Sequence, residues 1–190
     1  MKLIGKVALV TGGTKGIGAA TAVMLAERGA DVAILGRNDT ERARNVISDI
    51  EAKGRRSHLI LADMAKREDA VRAVRETIEV LGGVDALIHN AGGGYAGGFL
   101  DVTDEDWHRL FDVHVHAAFY LCRAALPHMR EKREGAIVMV SSVAAHRGVP
   151  NIVPYGVVKG ALLQFARGLA RENADFNIRV NCVSPGIIRT

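Results

Sequence analysis

Short apolar runs alternating with helical stretches constrain this 190-residue chain more than any other feature. Lys6–Thr11 (KVALVT) is β-branched and apolar with no polar alternation, the pattern of a strand buried on both faces, as in a parallel sheet. Further runs follow at Asp31–Gly36, Ser57–Leu61, Asp85–His89, Ala136–Val140 and Ile178–Val183. Helical spacing fills the intervals. Ile17, Ala20, Thr21, Met24, Leu25 and Arg28 mark one helix before Gly29, and Thr40–Lys53 a second, closed by Gly54. Lys66–Leu81 carries Ala70, Val71, Val74, Ile78 and Leu81 on one side. A capping signal at Thr103–Asp106 opens a long helix toward Met129, and Tyr155–Arg171 forms the last. Such alternation predicts parallel strands joined by right-handed crossovers, with helices on both faces. No repeat or linker divides the chain, so residues 1–190 read as one α/β domain.

The first run feeds directly into Thr11-Gly12-Gly13-Thr14-Lys15-Gly16-Ile17-Gly18 and then a helix. Glycines let a backbone approach a pyrophosphate, and a helix N-terminus offers free N–H groups and a favourable dipole. The spacing Gly12-x-x-x-Gly16-x-Gly18 differs from G-x-G-x-x-G, and a tight structural turn is the competing explanation. The second strand ends in Gly36-Arg37 with no acidic residue. An acid there would hold a ribose 2′-hydroxyl, whereas an arginine accommodates a 2′-phosphate. Arg37 and Lys15 therefore predict NADP(H) in preference to NAD(H), unless both merely face solvent. One charge-assisted hydrogen bond contributes about 1.5–3 kcal/mol, or roughly ten- to a hundredfold in affinity.

Hydrophobic residues make up 48% of the chain and charged residues 24%, ordinary for a globular protein and too apolar for a disordered one. The net charge of +4 invites a nucleic-acid reading, but the basic residues are scattered among acidic ones. Lys53–Gly54–Arg55–Arg56 reads as a solvated helix end. Cys122 and Cys182 sit in apolar segments and read as small buried hydrophobes of a reducing compartment. No Cys/His spacing suggests a metal, no window approaches a membrane span, and no signal peptide opens the chain. We expect a cytoplasmic protein with neither nucleic-acid nor membrane partners.

Chemistry gathers in the stretch that follows the fifth strand. Ser142 supplies a hydroxyl, Tyr155 a phenol and Lys159 an amine. If Tyr155 opens a helix, Lys159 lies one turn on, on the same face. A free phenol, with a pKa of about 10, is a poor proton donor or acceptor at neutral pH. A nearby ammonium favours the phenolate and draws the pKa toward the working range. Alone, Tyr-x-x-x-Lys is equally an ordinary helix pair. However, the Gly12 loop, Arg37, Asp63, Asn90, Ser142 and Thr190 all follow C-terminal strand ends. That edge of an open α/β sheet is where ligands bind.

Taken together, Thr11-Gly12-x-x-x-Gly16-Ile17-Gly18, Asp63, Asn90-Ala91-Gly92, Ser142, Tyr155-x-x-x-Lys159, Asn181 and Pro185-Gly186-x-x-x-Thr190 strongly resemble the short-chain dehydrogenase/reductase family over essentially the whole chain. The resemblance implies a single Rossmann-like, doubly wound parallel sheet in the order 3-2-1-4-5-6. It implies hydride transfer between a nicotinamide cofactor and a small-molecule carbonyl or alcohol, with 3-oxoacyl thioesters among the candidate substrates. Tyr155 would be the general acid/base, Lys159 would bind the nicotinamide ribose, and Ser142 would orient the substrate oxygen. Gly12, Thr14, Lys15, Gly16, Ile17, Gly18 and Arg37 would hold the cofactor's phosphates. Asp63, Met64, Asn90, Ala91 and Gly92 would line its middle and adenine end, with Pro185, Gly186, Ile188 and Thr190 at the nicotinamide end. A homodimer or homotetramer is implied, through Thr103–Met129 and Tyr155–Arg171.

The sequence departs from the family pattern at two places. Asp112-Val113-His114 stands where the family has an asparagine that anchors a water beside the lysine. His114 can hydrogen-bond in its stead and join the catalytic set, or be a packed helix residue. His114 and His116 diverge on a helix and make no metal pair. The family also continues past the Thr190 position into a substrate-covering segment and a seventh strand. We expect the sequence to be truncated there, which would leave the sixth strand as an open edge. The alternative function is a catalytically weak or inactive nucleotide-binding sensor or scaffold of the same fold.

Overall fold

The computed structural model describes residues 3–189. Six parallel strands form one sheet: β1 (Val7–Thr11), β2 (Asp31–Gly36), β3 (Ser57–Leu61), β4 (Ala86–His89), β5 (Gly135–Val140) and β6 (Ile178–Val183), in the order β3-β2-β1-β4-β5-β6. The expected order is therefore the observed one. β1 sits between β2 and β4, with Thr11 level with both Leu35 and His89. All five residues of β1 and all six of β2 are buried, which is why neither run alternates with polar residues.

Helices α1 (Gly16–Glu27) and α2 (Glu41–Glu51) cover one face. Ala22, Ala26, Val46 and Ile50 pack there against Ala8, Val10, Val32 and Ile34. Helices α3 (Arg67–Leu81), α5 (Ala117–Lys132) and α6 (Val153–Asn173) cover the other face. Val74, Leu121, Met129 and Leu162 meet Leu9, Leu87 and Ile137 on that side. Each such fully buried side chain contributes about 1.5–3 kcal/mol relative to exposure.

Three expectations are refined by the structure. The set assigned to α1 is not its inner face: Ala20, Met24 and Arg28 are exposed and Ile17, Thr21 and Leu25 half-buried, while Gly18, Ala22 and Ala26 are buried. Small residues at four-residue spacing let this helix lie close on the sheet, so size rather than apolarity marks its inner face. The long helix toward Met129 is present as one helical run, but a π turn over Asp112–His116 divides it into α4 (Asp104–Phe111) and α5. Finally, the Lys53–Arg56 run is solvated at Lys53, Gly54 and Arg56, but Arg55 is half-buried and both arginines are engaged. Both clamp Asp31, at 2.6 and 2.7 Å, and hold its carboxyl below the usual range despite burial. Cys122 is buried as expected, whereas Cys182 is only half-buried. Among the described residues, no helix is long and apolar enough to cross a membrane.

Candidate active site

The loop after β1 is shaped by steric demands that only glycine meets. Gly12 and Gly16 have left-handed φ of 63° and 55°. A Cβ on Gly18 would overlap the Gly12 carbonyl oxygen and crowd the Asn90 amide. Asn90 Nδ2 donates to the carbonyls of Thr11 (3.2 Å) and Gly12 (3.1 Å), tying the end of β4 to the loop. No side chain caps the N-terminus of α1, and its first turn holds no acid. Free N–H groups and the helix dipole there suit an anionic ligand.

A cavity of about 270 Å³ opens beside this loop, lined by Thr14, Lys15, Arg37, Asp63, Met64 and Ala91, with Asp106 and Arg109 of α4 at its side. Lys15 and Arg37 are exposed at its mouth, and among the described residues neither is held in an ion pair. A Cβ at position 36 would strike the Thr14 methyl group at 2.6 Å, so Gly36 admits Thr14 between strand and loop. Asp63 turns its carboxylate partly onto the Ala65 N–H at 3.1 Å, on the cavity wall.

A second chamber of about 280 Å³ shares Gly92, Gly93, Gly94 and His114 with the first. Ile17, Asn90, Val140, Ser141, Ser142, Tyr155, Lys159, Pro185, Gly186 and Ile188 complete its wall. Pro185 is held over the site by its carbonyl, which accepts from Val143 N at 3.0 Å. Thr190 lies outside the described residues. The helix carrying Tyr155 starts earlier than expected, at Val153, because Pro154 fits its first turn. The four-residue spacing keeps its meaning: Lys159 Nζ lies 5.5 Å from the Tyr155 ring centroid. Burial pulls the Lys159 ammonium down to about 8, and Nζ donates to the Val140 carbonyl at 2.8 Å. Ser142 Oγ accepts from Ala144 N at 3.2 Å, which leaves its hydroxyl proton free for a ligand.

His114 is buried in the π turn, and its ring meets Tyr155 edge-on with centroids 5.9 Å apart. Nε2 lies 2.9 Å from the Gly93 carbonyl. A carbonyl only accepts, so Nε2 carries the proton and Nδ1 is bare. That Nδ1 is buried without a partner among the described residues. Burial, and secondarily the Lys159 charge, push His114 down to about 3, so its ring is neutral. Gly92 must be glycine here, since a Cβ would overlap the His114 ring. Beside the site, Val149, Ile152 and Val153 line a neighbouring groove.

Two residues that organise the site escape a reading of the sequence. Ser141 Oγ donates to the Lys159 carbonyl at 2.8 Å and pins α6 to the end of β5. His89 ends β4 as a buried imidazole that touches Thr11 and the His114 carbonyl. A polar residue closing an apolar strand is the one signal that could have flagged them. Among the described residues no cluster of His, Cys, Asp or Glu could hold a metal ion.

The short chain dehydrogenase family model matches residues 6–190. Dehydrogenase/reductase SDR family member 4 of Bos taurus is 40% identical over 97% of this chain and 66% of its own length. The chain thus spans about two thirds of the length of such curated relatives. Among solved structures, a blue fluorescent protein from a metagenomic library, in complex with NADPH, is 40% identical with a TM-score of 0.95, covering all of this chain and 77% of that one. NAD+-bound xylitol dehydrogenase is 34% identical with a TM-score of 0.94, covering all of this chain and 73% of that one.

Proposed function

This chain belongs to the short-chain dehydrogenase family, and from that premise we propose that it is an NADP(H)-dependent oxidoreductase acting on a carbonyl or secondary alcohol. 3-Oxoacyl thioesters are the substrate class to test first. The observation that carries this reading is the shared chamber of Ser142, Tyr155 and buried Lys159, which opens onto the glycine loop. The loop fits a dinucleotide: Gly18 lets α1 close against the Gly12 carbonyl and the Asn90 amide, which shapes the turn, and the first turn of α1 is uncapped.

When bound, the nicotinamide supplies or accepts the hydride. Tyr155 Oη gives its proton to the carbonyl oxygen during reduction and takes it back during oxidation. Ser142 Oγ donates a hydrogen bond to that same oxygen and fixes its direction. Lys159, anchored on Val140, keeps a positive charge beside the phenol ring and so supports the anion left behind. The bare Nδ1 of His114 is a buried acceptor without a partner among the described residues, beside the chamber that holds Lys159, and is free to receive one hydrogen bond there.

Related proteins are recorded with either cofactor, so preference must come from local charge. Lys15 and Arg37, at the cavity mouth and in no ion pair among the described residues, favour a 2′-phosphate. Exposed Phe119, Val153 and Val157 on α5 and α6 offer apolar surface for a homodimer or homotetramer. The test is NADPH consumption over a panel of 3-oxoacyl thioesters, sugars and steroidal ketones, with NADPH and NADH affinities measured for the parent and Arg37→Asp. We expect turnover of at least one carbonyl, and roughly a ten- to hundredfold loss of NADPH preference in the variant. Silence across the panel with tight NADPH binding would favour a non-catalytic nucleotide sensor. An unchanged cofactor ratio would remove the 2′-phosphate assignment.

A further inference from the structure

His89 is 1% exposed at the end of β4, and the reaction outlined above makes no use of it. Its partners determine its protonation. Thr11 Oγ1 accepts two backbone N–H groups, from Asn90 at 3.1 Å and Ala91 at 3.0 Å. A hydroxyl has two acceptor positions and one proton. Both acceptor positions are taken, so the proton of Thr11 must point to its third neighbour, His89 Nδ1, at 3.2 Å. Nδ1 is therefore bare, and Nε2 bears the hydrogen that it donates to the His114 carbonyl at 2.9 Å. His89 is neutral and locked in one tautomer. Burial also pushes it down to about 4, in keeping with that assignment.

This one ring joins two parts of the site that are distant in sequence. On one side, Thr11 fixes Asn90 and Ala91, and the Asn90 amide holds the Gly12 carbonyl of the cofactor loop. On the other, the bond to the His114 carbonyl reaches into the π turn. That turn aims the His114 ring at Gly93 and Tyr155. A π turn is less favourable than regular α-helix and persists where side chains hold it.

We propose that His89 is a positioning residue for the reaction: bridging the Thr11 hydroxyl and the His114 carbonyl, it fixes the π turn so that the His114 ring stays against Gly92 and edge-on to Tyr155. Its kinetic consequence rests on the reductase reading above, whereas its structural consequence is measurable without turnover. His89→Leu removes both bonds. His89→Gln keeps an amide N–H long enough to reach the His114 carbonyl.

The experiment compares these variants with the parent in three measurements: NADPH affinity by fluorescence, kcat and KM for a carbonyl substrate, and solvent exchange of the His114 Nε2 proton by NMR. In His89→Leu, kcat falls about tenfold while NADPH affinity stays within about twofold. Exchange of the His114 proton speeds up about tenfold or more as its bond to Gly93 loosens. His89→Gln recovers most of both. In a His114→Ala background, His89→Leu costs little further in kcat, because two residues acting through one another are not additive. Should His89→Leu fail to fold, His89→Asn takes its place with the same expected losses, since its shorter amide still meets Thr11 but not the His114 carbonyl. Parent-like kcat in the folded variant overturns the proposal, as does affinity falling in step with kcat, or a full His89 effect without His114. If the parent turns over no carbonyl, the reductase reading fails, and proton exchange alone decides the role of His89: unchanged exchange sinks it.

Discussion

Replacing Lys159 by methionine should stabilise the folded chain at neutral pH while abolishing its activity. The lysine is 4% exposed, and burial draws it from 10.5 to about 8. Its folded pKa thus lies below its unfolded one, so between these values the unfolded state binds the extra proton. Stability of the parent therefore rises as pH climbs through this window. Below pH 8 the full cost of burying the ammonium is present. At about 1.36 kcal/mol per unit over the printed difference, that cost is about 3 kcal/mol. Methionine fills similar space without charge, but it leaves the Val140 carbonyl without its 2.8 Å partner, a loss of about 1–2 kcal/mol. The net expectation at pH 7 is a gain of about 1–2 kcal/mol for Lys159→Met. Urea unfolding of both proteins from pH 7 to 10 supplies the assay, and the difference between them cancels every other titrating group. The advantage should shrink steadily above pH 8 and reverse near pH 10. A difference that stays flat with pH would refute the claim that Lys159 is held charged against burial.

On the acid side, His89 and His114 are buried at about 4 and about 3, below their ordinary 6.5. The unfolded chain takes up these protons first, so stability falls as pH drops below about 6.5, by about 2 kcal/mol per ring at pH 5; His114→Asn should flatten the slope seen in thermal melts. Gly18→Ala places a Cβ into the Gly12 carbonyl, so we expect about 1–3 kcal/mol of destabilisation. Its NADPH affinity should drop at least about tenfold, and parent-like binding by titration would contradict the cradle. Ser141→Ala removes the bond that ties the Lys159 carbonyl, inside α6, to the end of β5 and should lower both the melting temperature and kcat, with a stability cost of about 0.5–1.5 kcal/mol for one lost hydrogen bond.

The sheet was legible because β1 and β2 are apolar throughout and their neighbours differ in period from the helices. Gly12, Gly16 and Gly18, Tyr155 and Lys159, and Arg37 could be singled out because their chemistry lies in short-range spacing. What stayed hidden depends on partners far along the chain. The inner face of α1 is made of Gly18, Ala22 and Ala26, residues that apolar patterning undervalues. Asp112–His116 keeps helical composition, and its π winding is fixed by contacts with His89 and Gly93. That Arg55 and Arg56 share one carboxylate shows only once β2 sets Asp31 beside them. Ser141 and Ser142 are adjacent just past β5 and both line the chamber, yet the Ser141 hydroxyl donates to the Lys159 carbonyl while the Ser142 hydroxyl accepts from Ala144 N.

The central claim is that Tyr155 Oη transfers the proton while the glycine loop and its cations hold the cofactor. Tyr155→Phe removes one oxygen from a half-buried ring and touches neither the Gly12 loop nor Arg37. The most direct measurement is single-turnover reduction of a carbonyl by NADPH, followed by loss of nicotinamide absorbance, in the parent and this variant. NADPH affinity should match within about twofold while the rate falls by about 10²–10⁴. A variant that reduces the carbonyl at the parent rate would contradict the account.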